Sequence, residues 1–210
     1  MTPRTRAIRM MGGKPSIAVV WASSFANSAS VALPSMEEND VVLFFAAYQS
    51  FNTVSDVAGY TQRLDFLSSA PTGRIFYKVM GSTPDTTAEV TASSDYDGTV
   101  LVLRNVDPAV FDVSDVKADG ATGRPNPPSI APVSDNSMII VFGILDSVLG
   151  GITVSSGFTE DANYAPTGGV PYRHVVGHIT QQSAAAIDPA TFGGSVSAAW
   201  RAATIAIRRA

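Results

Sequence analysis

The chain contains two histidines, His174 and His178, four positions apart in the stretch YRHVVGHI (172–179). On a strand that spacing puts both imidazoles on one face, where they could hold zinc or respond to pH. Zinc needs further ligands. The chain has no cysteine, and no run of carboxylates lies beside the pair. The expectation is packed or surface histidine and no metal site. A second candidate, SDYDGT (94–99), sets Asp95 and Asp97 ahead of Gly98 in the manner of a calcium loop. A complete loop needs more oxygen ligands and a distal bidentate glutamate, and here the chain continues as TVLVL. Asp-Gly between two β runs reads first as a hairpin turn.

Catalysis has little else to stand on. The chain has no Gly-x-Ser-x-Gly elbow, no phosphate-cradling glycine loop and no His-Glu-x-x-His. Its acids are spread over turn-like segments, so no glycosidase pair can be picked out. Gly-Gly pairs at 12–13, 150–151, 168–169 and 193–194 fall in loop-like stretches and read as backbone freedom. The expectation is a non-enzyme without a cofactor. Trp21 and Trp200 are expected to be buried together in one layer, each needing a partner for its N–H. The alternative is an exposed ring that stacks on sugar.

The elements that must carry these residues are β-strands. At 210 residues, 45% hydrophobic and only 15% charged, the chain suits one large domain or two small ones. The longest apolar runs, VVLFFAAY (41–48) and MIIVFGIL (138–145), have eight residues each, against about 20 for a membrane-spanning helix. Both are bounded by Asn, Asp and Ser, as strands buried on two faces would be. RIFYKVM (74–80) and YRHVVGHI alternate more, as half-buried strands do. Pro and Gly punctuate the chain too often for long capped helices. Roughly eleven to thirteen strands are predicted, in an all-β antiparallel sandwich.

The strands recur in order. MEENDVVLFFAAYQS (36–50) aligns with VSDNSMIIVFGILDS (133–147), and AGYTQRLDF (58–66) with SGFTEDANY (156–164). Ala-Pro-Thr-Gly occurs at 70–73 and again at 165–168, followed in turn by Tyr77-Lys78 and Tyr172-Arg173. TVLVLRNV (99–106) and ATIAIRR (203–209) close the two halves. This order predicts an internal duplication with halves at about 29–108 and 127–210, too long and too few for a solenoid. The polar, Pro- and Gly-rich stretch 115–132 between them reads as a crossover within one domain, 16–210.

Charge is unevenly placed. The net charge is −4, yet residues 1–36 hold Arg4, Arg6, Arg9 and Lys14 and no acid. A basic arm (1–15) thus precedes an acidic body. That split suits docking on an acidic protein surface better than coating nucleic acid, and neither nucleic acid nor membrane is an expected partner. The apolar stretch after the basic start, IAVVWA (17–22), is shorter than a signal peptide's usual run of about 7–15 residues, so no cleavage is expected. Arginine and methionine together (Arg4, Arg6, Arg9, Met10, Met11, Lys14) mark the arm as an ordered assembly segment.

The succession SASVALPSMEENDVVLFFAAY, AGYTQRL, YKV, TTAEVTASS, TVLVLRNVDPAVFD and SAAWRAATIAIRRA resembles a family of jelly-roll-like β-sandwich domains in tailed-phage structural proteins and prophage-encoded surface proteins. Arg104-Asn105-Val106-Asp107-Pro108 and Trp200 before Ala203–Ile207 carry the resemblance, which covers about 16–210. It implies a virion location, homo-oligomers (a trimer by preference) and no catalytic residues. The function expected is capsid decoration, with the arm binding the major capsid protein or another virion protein. The alternative is a tail or fibre-associated module that binds host glycan through Phe158, Tyr164 and Tyr172.

Overall fold

The computed structural model describes residues 14–26, 28–48, 54–66, 70–92, 96–147, 150–166 and 172–210. Most of the arm, including Arg4, Arg6, Arg9, Met10 and Met11, lies outside the described residues, as does Asp95. Among the described residues there is no helix. The strands are β1 (Ala18–Ala26), β2 (Ser30–Ala32), β3 (Val41–Tyr48), β4 (Val54–Val57), β5 (Thr61–Phe66), β6 (Thr72–Val79), β7 (Thr87–Ala92) and β8 (Asp97–Arg104). They continue as β9 (Val106–Phe111), β10 (Val116–Gly120), β11 (Ser137–Leu145), β12 (Ile152–Thr153), β13 (Thr159–Tyr164), β14 (Arg173–Gln181), β15 (Gly193–Gly194) and β16 (Trp200–Arg209). These sixteen exceed the predicted number because β2, β12 and β15 span only two or three residues, too few to show any periodicity.

Two antiparallel sheets form the body. The first runs β1-β8-β3-β6-β5, and the second runs β10-β16-β11-β14-β13 with β9 also paired to β16. The blocks β8-β3-β6-β5 and β16-β11-β14-β13 follow the same order, each with its longest apolar strand at the centre. Aligned positions also share unusual backbone: Asn39 and Asn136 sit at φ 70° and 59°, Gly59 and Gly157 at 77° and 87°. Asparagine is one of the few side chains that tolerates this left-handed region.

The sheets face each other across one core. Val41, Leu43, Phe45 and Ala47 of β3 share a cluster with Met138, Ile140, Phe142 and Ile144 of β11. The Phe45 and Phe142 rings meet between the sheets with centroids 5.1 Å apart. The alternate residues of β3 (Val42, Phe44, Ala46 and Tyr48) point the other way, into a second cluster with Val31, Val57, Ala88 and Val90 of β2, β4 and β7. Those three strands form a small sheet, order β2-β7-β4, that caps the first large sheet. On the far side Val141, Leu145 and Val175 pack under Ile152 and Phe192, while Ile139 and Ala206 pack under Ile130. The stretch 115–132 contributes β10 and then crosses this outer face, where the carbonyl of Pro125 accepts from Phe192 N–H and that of Pro128 from the Thr204 hydroxyl.

One lateral seam is tied by charge. Arg63 of β5 pairs with Asp115 at 2.5 Å and lies over the Phe111 ring, while Lys117 of β10 pairs with Asp65. Arg104 at the end of β8 grips Asp40 at the start of β3, and Arg208 at the end of β16 grips Asp112. Burial alone would raise both carboxyls. Hydrogen bonds outweigh it and hold both below their ordinary value: from Arg104 and the Glu37 N–H at Asp40, and from the Ser134 side chain, the Ser134 and Val133 N–H groups and Arg208 at Asp112.

Because both halves line one cluster, the domain should unfold as a unit. Phe142→Ala is expected to cost about 3–5 kcal/mol and to move a single urea transition. Two separate transitions, with the one from residues 29–108 unmoved, would contradict a shared core.

Candidate functional site

The chemistry-bearing residues converge on the interface between the sheets near the start of β14. His174 is fully buried, and its Nε2 lies 2.8 Å from Thr99 Oγ1 of the facing sheet. Thr99 Oγ1 in turn lies 2.9 Å from Ser24 Oγ of β1. Tyr172 donates its hydroxyl to the carbonyl of Ala47 at 2.8 Å, again from one sheet to the other. Tyr164 packs its ring on His174 with centroids 5.4 Å apart. These contacts form a polar staple through an otherwise apolar layer.

A hydroxyl bonded to an imidazole is the geometry of an activated nucleophile. Here Thr99 and His174 both have zero exposure, so no substrate can meet the hydroxyl. The staple is structural. Burial drives the His174 imidazole down to about 3, offset only in part by a backbone contact with Gly98. The surrounding tyrosines are pushed up, Tyr172 most strongly, first by burial and then by the nearby Asp97 charge.

The second histidine behaves differently. His178 Nδ1 lies 2.8 Å from the carboxylate of Asp161 on β13, an arrangement that orients an imidazole. Among the described residues no hydroxyl hydrogen-bonds to its other nitrogen. The expected common face is confirmed, since His174 and His178 both project from β14 at alternate positions. They have separate partners, and no group of three His, Cys, Asp or Glu side chains with metal-binding geometry occurs among the described residues.

Several sequence expectations need correction. Tyr172, a candidate for surface binding, is fully buried and spends its hydroxyl on Ala47. It cannot stack on a glycan. Phe158 is half-buried against the outer clusters of the second sheet, and Tyr164 is half-buried against His174, so the three rings form no common platform. Asp97-Gly98 is not a turn: both residues open β8 and are buried. The reason is steric, because a Cβ on Gly98 would come within 2.3 Å of the Phe25 ring and 2.4 Å of the Phe45 carbonyl. Trp21 and Trp200 do not share a layer. Trp21 packs under the small sheet and Trp200 on the opposite outer face, its indole N–H donating to the Thr122 carbonyl at 3.1 Å. Gly193-Gly194 is a strand, where a Cβ on Gly194 would lie 2.1 Å from the Gly151 carbonyl oxygen. Lys14, the one described member of the proposed arm set, is exposed.

Compared with protein-family models, curated proteins and solved structures, the chain matches none of them.

The staple predicts a pH dependence. The folded His174 pKa lies below the unfolded value of about 6.5, so the unfolded chain binds a proton that the folded one refuses. Stability from this group is complete above pH 6.5 and is lost as pH falls from there towards 3, at a slope of about 1.4 kcal/mol per pH unit. Urea unfolding from pH 7.5 to 4.5 should show the decline, and His174→Gln should flatten it. An equal slope in the variant would show that other groups carry it.

Proposed function

We propose that the chain is a non-catalytic structural protein of a tailed-phage virion, a capsid decoration protein held on the head shell by its basic N-terminal arm. The observation that carries this reading is the separation of roles between body and arm. The body turns its chemistry inward: Thr99, His174 and Tyr172 join the sheets, and Arg63, Arg104 and Arg208 close their edges and ends. What is left for a partner is the segment with Arg4, Arg6, Arg9 and Lys14, opposite in sign to the rest of the chain. A cationic arm on an anionic body seeks an acidic protein surface.

The two halves are read as products of a duplication. The common strand order and the paired conformations at Asn39 and Asn136 and at Gly59 and Gly157 support it. Such a unit offers a compact covering for a regular shell, and its self-association as a trimer belongs to the same proposal. The glycan-binding alternative loses one of its three rings with the burial of Tyr172.

Deletion of residues 1–14 should abolish attachment to the particle while leaving the thermal melt of the body nearly unchanged. Occupancy on purified particles and a melting curve check the two parts. Full occupancy without the arm would overturn the proposal.

A further inference from the structure

The lateral edges of the large sheets are not alike. Edge strands β5, β10 and β13 carry charges, namely Arg63 and Asp65, Lys117 and Asp119, and Glu160 and Asp161. β5 and β10 are also tied to each other's sheet by Arg63–Asp115 and Lys117–Asp65. β1 (AVVWASSFA) has no charge at all. It pairs with β8 on one side only, and among the described residues no other backbone hydrogen bond reaches it. A bulge between Val19 and Trp21 interrupts its register once, after which Trp21–Ala26 pair with β8 without a break. Val20, at the bulge, is 43% exposed and is one of two exposed large hydrophobic residues among those described. Natural sheets usually guard such an edge with charge or cover it, because its unpaired N–H and C=O groups are a template for another strand.

We propose that residues 4–11 of one copy add as a further strand to the β1 edge of a second copy. The inference rests on the reading of the N-terminal segment as an assembly arm and names where that arm docks. Three features select this occupant. The first is direction. Ile17 is buried in the shared core, and the Ser16 carbonyl accepts from the Asn105 side chain. Pro15 biases Lys14 to extended backbone, and Lys14, Pro15 and Ser16 are all exposed, so the chain ahead of Ile17 lies at the surface where the described residues begin.

The second is length. Residues 4–11 number eight against six in Trp21–Ala26, and at about 3.4 Å per residue the arm spans that stretch with some to spare. It contains neither Pro nor Gly. The third is charge. β1 carries no charge, so Arg4, Arg6 and Arg9 meet no like charge on it, and the chain beyond residue 36 is net acidic. An arm that leaves one copy and enters the next is a head-to-tail contact, which closes into a ring when the rotation permits. Backbone pairing of this kind supplies affinity through main-chain hydrogen bonds.

The natural absence of cysteine makes the test clean. Full-length Ser23→Cys protein is mixed with full-length chains that carry one cysteine placed in turn at residues 4–9, then oxidised. Neighbouring strands bring Cα atoms within disulfide range. The expected result is a disulfide-linked dimer that forms only in the mixture and only for arm positions in register with Ser23. Sedimentation should show self-association weakened about tenfold or more by deletion of residues 1–14 and by Val20→Lys, which places a guarding charge on the edge. No linked dimer at any position would overturn the proposal, as would closure within one chain when both cysteines are in the same molecule. If deletion of the arm releases the protein from particles but leaves self-association unchanged, arm exchange fails and the assembly-arm reading stands. If attachment survives the deletion, the assembly-arm reading fails with it.

Discussion

Two strands without a polar face govern this fold. Every residue of Val41–Tyr48 and of Ser137–Leu145 is buried, so a sheet built on either must be covered on both sides. The chain meets that demand by setting the two sheets against each other and roofing each with its own lesser layer: the β2-β7-β4 sheet on one side, and β12, β15 and the stretch around Pro125–Ile130 on the other. The arrangement also removes the usual guide to register. Where hydrophobic and polar residues alternate, a one-residue slip exposes the core face and is rejected. β3 and β11 would bury apolar residues after a slip too. Register therefore has to be set at their ends, and the left-handed turns at Asn39 and Asn136 together with the Arg104–Asp40 and Arg208–Asp112 pairs stand at those ends.

The polar groups inside the molecule complete the same task. Apolar contact holds two sheets together without saying how they should be aligned. The Ser24–Thr99–His174 chain and the Tyr172–Ala47 hydrogen bond are directional, and they join the sheets at one seam. The ion pairs of Arg63 and Lys117 do so at the other. A buried imidazole kept neutral is the cost of that alignment. Residues that resemble a reaction centre in isolation thus serve to position one sheet on the other.

Much of the architecture could be read directly from residue order. The runs at 41–48 and 138–145 are apolar at every step except Gly143, and the structure makes them the centres of their sheets. The spacing of His174 and His178 placed them on one face of a strand, as observed. What stayed hidden depended on contacts between distant segments. Tyr172 follows a turn-rich stretch and looks exposed until a facing carbonyl 125 positions away claims its hydroxyl. Asp97-Gly98 has the letters of a turn, but the nearby Phe25 ring demands a glycine inside a strand. Trp21 and Trp200 each sit in a strand, and only the stacking of the sheets sends them to opposite outer faces. The bareness of β1 was legible as a lack of charge, yet it acquires meaning only once β1 is known to be an edge.

The proposed function extends the same economy: Thr99, His174 and Tyr172 are occupied in joining the sheets, and the arm of opposite charge is proposed as the segment that assembles. The measurement that tests it most directly is the abundance of this chain in purified particles relative to the major shell protein, by quantitative mass spectrometry. The account predicts abundance comparable to that of the shell protein itself, as a covering of the lattice requires. Absence from the particle, or only the few copies that a tail or a single vertex would hold, would contradict it.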